Sequence, residues 1–239
     1  NSPYDCGSYA SSTTYVTGMA VVKTCETLRK KICERGAEYL GCSPDDVEFD
    51  GEKVVNLKTK EEITRKEIGN KVMCSSNAPL SATEAFSSPV SPPPFMVGIA
   101  EVEIDKETGV VEPIDYAAVV DCGTVVNPNL ARVQTEGGIA QGIGMALYED
   151  IIYSEKGKNY SNSFMQYKIP SRLDVGEIRV EFESSYEPTG PFGAKSIGEI
   201  VINTPSPAIS NAVQNAVGVI VRELPITAEK VYKGMAEKE

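Results

Sequence analysis

Residues 186–199 read Tyr-Glu-Pro-Thr-Gly-Pro-Phe-Gly-Ala-Lys-Ser-Ile-Gly-Glu, and this segment ends on the carboxylate of Glu199. Its three glycines admit left-handed or crowded backbone and its two prolines remove conformational freedom, so the composition predicts a rigid, shaped loop. The stretch 203–207, Asn-Thr-Pro-Ser-Pro, then predicts the start of a helix. Such a loop is suited to aiming a carboxylate at a ligand. The alternative is a tight turn in which Glu199 lies in solvent or pairs with Lys195.

The composition of the whole chain is that of a globular protein. Its 239 residues are 41% hydrophobic and 24% charged, which allows one large domain or two modest ones. A net charge of −11 argues against nucleic acid or an anionic membrane as the main partner, because both attract clustered Lys and Arg. No apolar run approaches the roughly 20 residues of a spanning helix. A chain that starts Asn-Ser-Pro, without an initiator methionine or a signal peptide, is expected to be a processed, split or excised piece.

The absence of histidine narrows the chemistry further. It removes the commonest general base, the Ser-His-Asp and Cys-His arrangements and the commonest metal ligand. The six cysteines are Cys6, Cys25, Cys33, Cys42, Cys74 and Cys122. None of them forms a C-x-x-C pair, so zinc-ribbon and iron–sulfur spacings are missing. Scattered cysteines of this kind predict reduced thiols in a cytoplasmic protein, with disulfides as the alternative.

The N-terminal stretch 4–14 is small and polar. It is either a surface loop or a cradle in which backbone amides and hydroxyls bind a polar, phosphate-bearing ligand at a helix N-terminus. The helix that follows has apolar residues at spacings of three and four, at Val21, Val22, Cys25, Leu28 and Ile32. Gly36 or Gly41 is its predicted end.

A short hairpin and a short helix are predicted next. Residues 47–49 and 54–57 read as two strands joined by a primed turn at Asp50-Gly51. Thr64, with Glu67 three residues later, has the pattern of a capping box at the start of a helix. The Ser- and Pro-rich residues 77–94 cannot form regular structure and predict a long connection.

The second half of the chain mixes strands and helices. Residues 95–104 and 110–120 predict two long antiparallel strands, and the alternation in 178–183 predicts a third strand. Helices are predicted over 205–217 and from Thr227. Since helices and hairpins alternate without a βαβ rhythm, the predicted fold class is α+β.

A glycine-rich run lies between these strands, over residues 134–146. Gly138, Gly142 and Ala146 recur every four residues, which on a helix gives a smooth stripe that other backbone can approach closely. We therefore expect a buried helix here, despite a propensity penalty of about 1 kcal/mol per glycine. Gln134 stands at the expected helix start, where its amide either caps the helix or faces a ligand.

Three motifs taken together resemble one family, the xanthine dehydrogenase/aldehyde oxidase family. The resemblance is to the C-terminal half of its molybdenum-binding subunit, and it runs through nearly the whole chain. The motifs are Gly7–Thr13 leading to Gly18–Val21, then Val120–Gly123 with Asn127-Pro128, Gln134–Gly137 and Gln141-Gly142, and finally Gly193–Glu199.

The resemblance implies a molybdopterin, in its cytosine dinucleotide form, that holds Mo through a dithiolene. Ala10, Ser11 and Thr13 would lie on the cradle of the pterin, and Gln134 would hydrogen-bond the cofactor. Glu199 would be the catalytic base that takes a proton from the metal-bound hydroxyl as it attacks an electron-poor carbon. No side chain of the protein would ligate the metal, so the lack of histidine is no obstacle.

The resemblance also implies a multi-chain enzyme that is not competent from this chain alone. It would hydroxylate a small-molecule N-heterocycle, a purine such as xanthine or a nicotinate-like compound, with oxygen from water. Iron–sulfur clusters and FAD would lie on partner chains, and the missing N-terminal half would come from a separate chain or a removed part. The alternatives are aldehyde or CO-type oxidation by the same cofactor, or a non-catalytic half that assembles such a complex.

We expect a first cofactor-cradle subdomain over residues 1–94 and a second over 95–239 that carries the loop of Glu199. Lys195 coincides with a family lysine near the site and would have a supporting role.

Overall fold

The structure is a computed structural model, and it describes residues 7–75 and 79–237. The packing of Cα atoms divides the chain into two compact units. One unit is Val16–Pro89, and the other combines the described residues of Asn1–Tyr15 with those of Val90–Glu239.

One of the two units is not continuous in the sequence, because the described residues of Asn1–Tyr15 group with those of Val90–Glu239. The N-terminal segment groups with residues far along the chain: the hydroxyl groups of Tyr15 and Thr189 are 2.7 Å apart. A division by sequence order cannot anticipate such a long-range contact. The predicted subdomains 1–94 and 95–239 remain a prediction about how the cofactor cradle is organised.

The smaller unit is built from one long helix, a three-stranded antiparallel sheet and a short helix. The elements are α1 (Thr13–Leu40), β1 (Val47–Phe49), β2 (Lys53–Asn56), β3 (Glu62–Thr64) and α2 (Arg65–Met73), with sheet order β1-β2-β3. The helix α1 ends before Gly41, which has a φ of +67° that favours glycine. The helix continues through Gly36. Val54 packs so close to this position that a Cβ there would lie 2.6 Å from the Val54 Cγ1 atom, which explains the glycine.

The core of the smaller unit contains Ile32, Val54, Ile63, Ile68 and Val72. The predicted apolar stripe of α1 is thus only partly buried, since Val21 is 55% exposed and Cys25 is exposed. The capping box of α2 is confirmed: Glu67 N–H donates to Thr64 Oγ1 and Thr64 N–H donates to Glu67 Oε2. The predicted hairpin is also confirmed, with Phe49 opposite Val54 and a φ of +107° at Gly51.

The larger unit is a three-stranded sheet with helices packed on one of its faces. Its elements are β4 (Phe95–Ile104), β5 (Val111–Asp121), α3 (Pro128–Leu147), β6 (Glu177–Phe182), α4 (Ile200–Asn203), α5 (Pro205–Val217) and α6 (Ala228–Ala236). The strands β4 and β5 are antiparallel, as predicted. The strand β6 lies parallel to β5, with Ala118 opposite Val180, so the sheet is mixed and the crossover between these strands contains α3.

The main core lies between this sheet and the helices α3 and α5. Tyr116 and Val180 of the sheet pack with Ile139, Ile143 and Ile209, all at most 2% exposed. No helix within residues 7–75 and 79–237 combines the length and the apolar character that crossing a membrane requires. The α+β fold class predicted from the sequence is confirmed.

The glycine-rich helix α3 is buried on one side only, which corrects the expectation of a fully buried helix. On the inner side a Cβ at Gly142 would lie 2.6 Å from Pro205 Cγ. On the outer side Leu130 and Val133 are exposed by 67% and 65%. The helix is therefore apolar on both sides, and the glycine stripe marks the side on which α4 and α5 approach it.

Candidate functional site

Residues 186–199 form the predicted shaped loop, and hydrogen bonds join it to the chain that follows β5. The carbonyl of Gly193 accepts from the N–H groups of Thr124 and Glu187, at 2.9 and 3.1 Å. The Lys195 N–H donates to Cys122 O at 2.8 Å. Phe192 has a φ of +54°, which is strained for a residue with a side chain. These contacts define the path of the loop up to Lys195.

Lys195 makes a buried ion pair with Asp121 and not with Glu199. Its Nζ is 2.8 Å from Asp121 Oδ2, and the lysine side chain is 7% exposed. The same ammonium donates to Pro93 O at 3.3 Å and lies 5.5 Å from the centroid of the Phe95 ring. The pairing of Lys195 with Glu199, which was one form of the tight-turn alternative, is therefore excluded.

The carboxyl of Asp121 collects several donors. Burial by itself would raise its pKa, but the hydrogen bonds from Lys195, the Gly123 N–H and the Ser185 hydroxyl together lower the pKa below its ordinary value of 3.8. The Ser185 hydroxyl lies 2.8 Å from both carboxyl oxygens. Asp121 is thus ionised in the folded state and neutralises the lysine of the loop.

Glu199 lies at the end of the loop, directly before α4, and its side chain is exposed. The Ser11 hydroxyl donates to Glu199 Oε2 at 3.2 Å, which joins the loop to the N-terminal segment. The described residues do not enclose this carboxylate. An exposed carboxylate with one oxygen held by a hydroxyl is free to accept a proton on the other.

The N-terminal segment from Gly7 to Thr13 forms a short turn that leads into α1. Tyr9–Ser11 is a single 3₁₀ turn in which Ala10 and Ser11 have φ values of +49° and +51°. Two consecutive residues with side chains in the left-handed region are unusual and store strain, a feature that clusters at functional sites. Residues 4–6 of the predicted cradle lie outside the described residues.

Gln134 lies inside α3 and not at its start, because the helix begins at Pro128. The N-cap is Asn127, whose side chain accepts from the Leu130 N–H at 3.1 Å. Of the two roles that the sequence left open for Gln134, the cap is therefore excluded. Its exposed side chain lines two clefts.

The larger of the two clefts, which we call the cradle cleft, has a volume of about 490 Å³. Its polar lining residues are Ser8, Ser11, Thr13, Thr14, Thr124, Asn127, Gln134 and Lys195. Three of the four predicted cofactor residues, Ser11, Thr13 and Gln134, thus line one cleft, whereas Ala10 is not among its lining residues. The structure brings together residues that are more than a hundred positions apart in the sequence.

The smaller cleft, which we call the Glu199 groove, adjoins the cradle cleft and has a volume of about 430 Å³. Its lining residues are Val133, Gln134, Gly137, Gly138, Gln141, Gly198, Glu199 and Ile202. Gln134 and Gly198 line both clefts and so mark the boundary between them. The carboxylate of Glu199 therefore faces a space next to the cradle cleft.

The cradle cleft suits a ligand that carries phosphate groups. Among the described residues no Asp or Glu lines it, although the whole chain has a net charge of −11, and the one charged residue of that lining is Lys195. The first residues of α1 and the N-cap of α3 both line it, and helix N-termini carry partial positive charge with free N–H groups. The residues present thus fit the phosphate end of a pterin cofactor.

Gly198 of the loop allows the loop and the N-terminal turn to lie close together in the cleft. A Cβ at Gly198 would lie 2.6 Å from Ser11 Oγ, so only glycine lets the loop pass this close to the N-terminal turn. Within the described ranges no cluster of three or more His, Cys, Asp or Glu side chains could hold a metal ion.

Sequence reasoning missed part of the site. The roles of Asp121 and Ser185 were not predicted, although Asp121 stands in one of the quoted motifs. The pairing of Lys195 with a carboxylate in β5 depends on the fold, and no local signal indicates it. Thr124 was part of a predicted loop, and only the fold shows that it lines the cradle cleft.

Comparison with known proteins agrees with this description of the site. A sequence model of the family described as the molybdopterin cofactor-binding domain matches residues 1–176. The chain is 36% identical to the probable hypoxanthine oxidase XdhD of Escherichia coli (strain K12), over 97% of this chain and 24% of that protein. It is 30% identical to the 6-hydroxypseudooxynicotine dehydrogenase complex subunit gamma of Paenarthrobacter nicotinovorans, over 96% of this chain and 30% of that protein.

Solved structures give the same result. The chain superimposes on CO dehydrogenase from Oligotropha carboxidovorans with a TM-score of 0.85 and 26% identity, over 98% of this chain and 30% of that one. For quinoline 2-oxidoreductase from Pseudomonas putida 86 the TM-score is 0.84 and the identity 27%, over 98% and 31%. The chain thus spans between about a quarter and a third of the length of these relatives. It belongs to the molybdopterin cofactor-binding domain family, within the molybdenum-binding subunits of the xanthine dehydrogenase/aldehyde oxidase family.

Proposed function

We propose that this chain supplies one side of the molybdopterin site of a molybdenum hydroxylase and that Glu199 is its general base. The observation that carries the proposal is the position of Glu199 in the groove next to the cradle cleft, hydrogen-bonded to Ser11 of the cradle cleft. A general base must lie within hydrogen-bond reach of the proton that it removes. An exposed carboxylate next to the cofactor cleft meets that requirement.

The cradle cleft would hold the cofactor through residues of three segments. The hydroxyls of Ser11 and Thr13 and the N-terminal end of α1 would bind its polar groups, and the Gln134 amide would donate from the facing wall. We propose the cytosine dinucleotide form of molybdopterin, whose additional phosphate suits a cleft lined by two helix N-termini and, within the described residues, by no carboxylate. When bound, the cofactor supplies the metal centre and accepts the electrons of the oxidation.

Glu199 would take a proton from the water-derived nucleophile that attacks the substrate carbon. The Ser11 hydroxyl holds Oε2, and Oε1 would accept the proton. Lys195 does not compete for this carboxylate, because Asp121 neutralises the ammonium. Enclosure of the carboxylate would come from the rest of the subunit, since the described residues leave it exposed.

The substrate class that we propose is an electron-poor N-heterocycle, a purine or a nicotinate-like ring. Relatives named for hypoxanthine, for nicotine and for 6-hydroxypseudooxynicotine support it. Oxidation of CO or an aldehyde is the second candidate, because the chain is also 29% identical to the carbon monoxide dehydrogenase large chain of Afipia carboxidovorans. Assays of the complete enzyme with hypoxanthine, nicotinate, acetaldehyde and CO distinguish these classes.

The partners would be the remainder of the molybdenum subunit together with iron–sulfur and flavin proteins that carry the electrons away. The relative named as subunit gamma of a dehydrogenase complex supports a multi-chain assembly. We propose a cytoplasmic location, which the free thiols of Cys25, Cys33, Cys42, Cys74 and Cys122 support.

The test is the Glu199→Gln variant of the complete enzyme. Loss of a positioned general base lowers turnover by about 10²–10⁴-fold, whereas the Mo and pterin content should be unchanged because the cradle cleft is untouched. The matched control is Glu183→Gln, which makes the same substitution at an exposed carboxylate that lines neither cleft. Undiminished turnover of Glu199→Gln, or a loss that only follows a loss of Mo, contradicts the role of Glu199. A native complex that contains no Mo would instead identify the chain as a non-catalytic assembly half.

A further inference from the structure

The helix α3 contains four glycines, Gly137, Gly138, Gly142 and Gly144, and one of them has no structural explanation within the chain. A glycine inside a helix is unfavourable by about 1 kcal/mol relative to alanine. At Gly138 a Cβ would overlap Val201, at Gly142 it would lie 2.6 Å from Pro205 Cγ, and at Gly144 it would overlap the Glu149 side chain.

Gly137 is different, because a Cβ there would meet no atom within 4 Å. Its φ lies outside the left-handed region, so the backbone does not require glycine either. Neither packing nor conformation within the described residues therefore explains why α3 has a glycine at this position. Alanine would fit and would favour the helix.

The surroundings of Gly137 suggest what its missing side chain leaves open. It is exposed and lies on the floor of the Glu199 groove, between the amide side chains of Gln134 and Gln141. Glu199 and Ile202 line the same groove. Two amides, an aliphatic side chain and a carboxylate around a bare stretch of helix suit a flat, polar ring.

We infer that Gly137 keeps open the space beside Glu199 in which the substrate ring lies, and that the residue at this position sets the largest ring that the enzyme accepts. The inference rests on the proposed function, since it assigns the Glu199 groove to the substrate. A side chain at 137 would extend into the groove and occupy part of its volume of about 430 Å³. Small substrates would tolerate a methyl group there better than large ones.

The experiment compares Gly137→Ala and Gly137→Leu in the complete enzyme with the control Gly69→Ala. Gly69 lies in α2, and a Cβ there also meets nothing within 4 Å. Both alanine variants should raise the denaturation midpoint of the protein, because alanine favours a helix over glycine. That measurement shows, without any assay of activity, that folding does not need the glycine.

Turnover is then measured with one-ring nicotinate and two-ring hypoxanthine, and with methylated forms of whichever ring the wild type accepts. We expect Gly137→Ala to lower kcat/KM for the larger member of each pair roughly tenfold, mainly through KM, with less effect on the smaller. Gly137→Leu should lose the larger substrate altogether. The Mo content of both variants and the kinetics of Gly69→Ala should be unchanged.

Three results overturn the inference: unchanged kinetics in the Gly137 variants, equal losses for small and large substrates, or a loss of Mo. The last two would mean that the rest of the subunit or the cofactor, and not the substrate, lies over Gly137. Failure of the proposed function gives a different pattern, in which the wild-type enzyme accepts none of these compounds or Glu199→Gln retains full turnover.

Discussion

Lys195 and Asp121 form the ion pair that ties the loop of Glu199 to the end of β5. Both side chains are largely buried, with exposures of 7% and 19%. Removing one partner of a buried pair leaves an uncompensated charge, which lowers the free energy of unfolding by about 3–5 kcal/mol. The pair is therefore a positioning element for the loop.

The stability of this pair should depend on pH in a defined direction. The pKa of Asp121 is lowered in the folded state, so the unfolded chain binds its proton first as the pH falls. The contribution of Asp121 is present above its ordinary pKa of 3.8 and is lost as the pH falls through the lower folded value. Urea denaturation of wild type and Asp121→Asn between about pH 6 and about pH 3 should therefore show a steeper loss in the wild type.

Asp150→Asn is the control for that comparison, since Asp150 is exposed and lies outside the pair. Its unfolding free energy should follow the wild-type curve. Parallel curves for the wild type and Asp121→Asn would contradict the assignment of this pH dependence to Asp121.

At the scale of elements, the helix α3 both packs in the core of the larger unit and lines the Glu199 groove. Gly138 and Gly142 pack against Val201 and Pro205, and on the adjacent side of the helix Gln134 and Gly137 line the Glu199 groove. The same helix therefore fixes the position of α4, which begins directly after Glu199. A shift of α3 against α4 would move the carboxylate relative to Gln134.

Gly138→Ala tests this packing. The new Cβ would overlap Val201, which is fully buried and β-branched and so has little freedom to move. Overpacking of a core costs about 1–3 kcal/mol, and the gain in helix propensity returns about 1 kcal/mol of that. We expect chemical denaturation to show a net loss of stability in Gly138→Ala and a gain in the neighbouring Gly137→Ala.

The double variant Gly138→Ala with Val201→Ala gives the control. If the overlap with Val201 causes the loss, the two substitutions together should cost less than the sum of their separate effects. Additive effects would show that the glycine is needed for another reason.

Much of the local structure could be predicted from the sequence. The capping box at Thr64, the hairpin over residues 47–56 and the antiparallel pair β4 and β5 follow from short patterns, and all are confirmed. The parallel direction of β6 was not predicted, because strand direction depends on how the connection through α3 packs. Sequence patterns also could not show that Leu130 and Val133 lie on the exposed side of a helix that has apolar residues on both sides.

At the scale of the whole molecule, the negative net charge of the chain contrasts with the residues that line the cradle cleft. The chain has a net charge of −11, yet the described lining of the cradle cleft has two helix N-termini, one lysine and no carboxylate. Because Asp121 neutralises Lys195, the partial positive charge of this cleft comes from the helix N-termini, which suit an anionic group. The relatives are three to four times longer than this chain, and the described residues leave Glu199 exposed.

We therefore predict that the purified chain alone does not hydroxylate hypoxanthine or nicotinate, whereas the complete complex does. The physical reason is that an exposed carboxylate cannot exclude bulk water from the reaction or hold the substrate from two sides. Steady-state assays of the chain, the complex and the Glu199→Gln complex check the prediction. Turnover by the chain alone at the rate of the complex would contradict it.

The amino-acid sequence by itself determined the helices, the hairpins, the shaped loop and the family, because each depends on residues that are close in the chain or on motifs in a fixed order. Only the tertiary structure decided that Lys195 pairs with Asp121, that Ser11 holds Glu199 and that Gln134 lies between two clefts. Those contacts join residues from 74 to 188 positions apart. Their partners are selected by the packing of whole elements, which no local preference of the chain encodes.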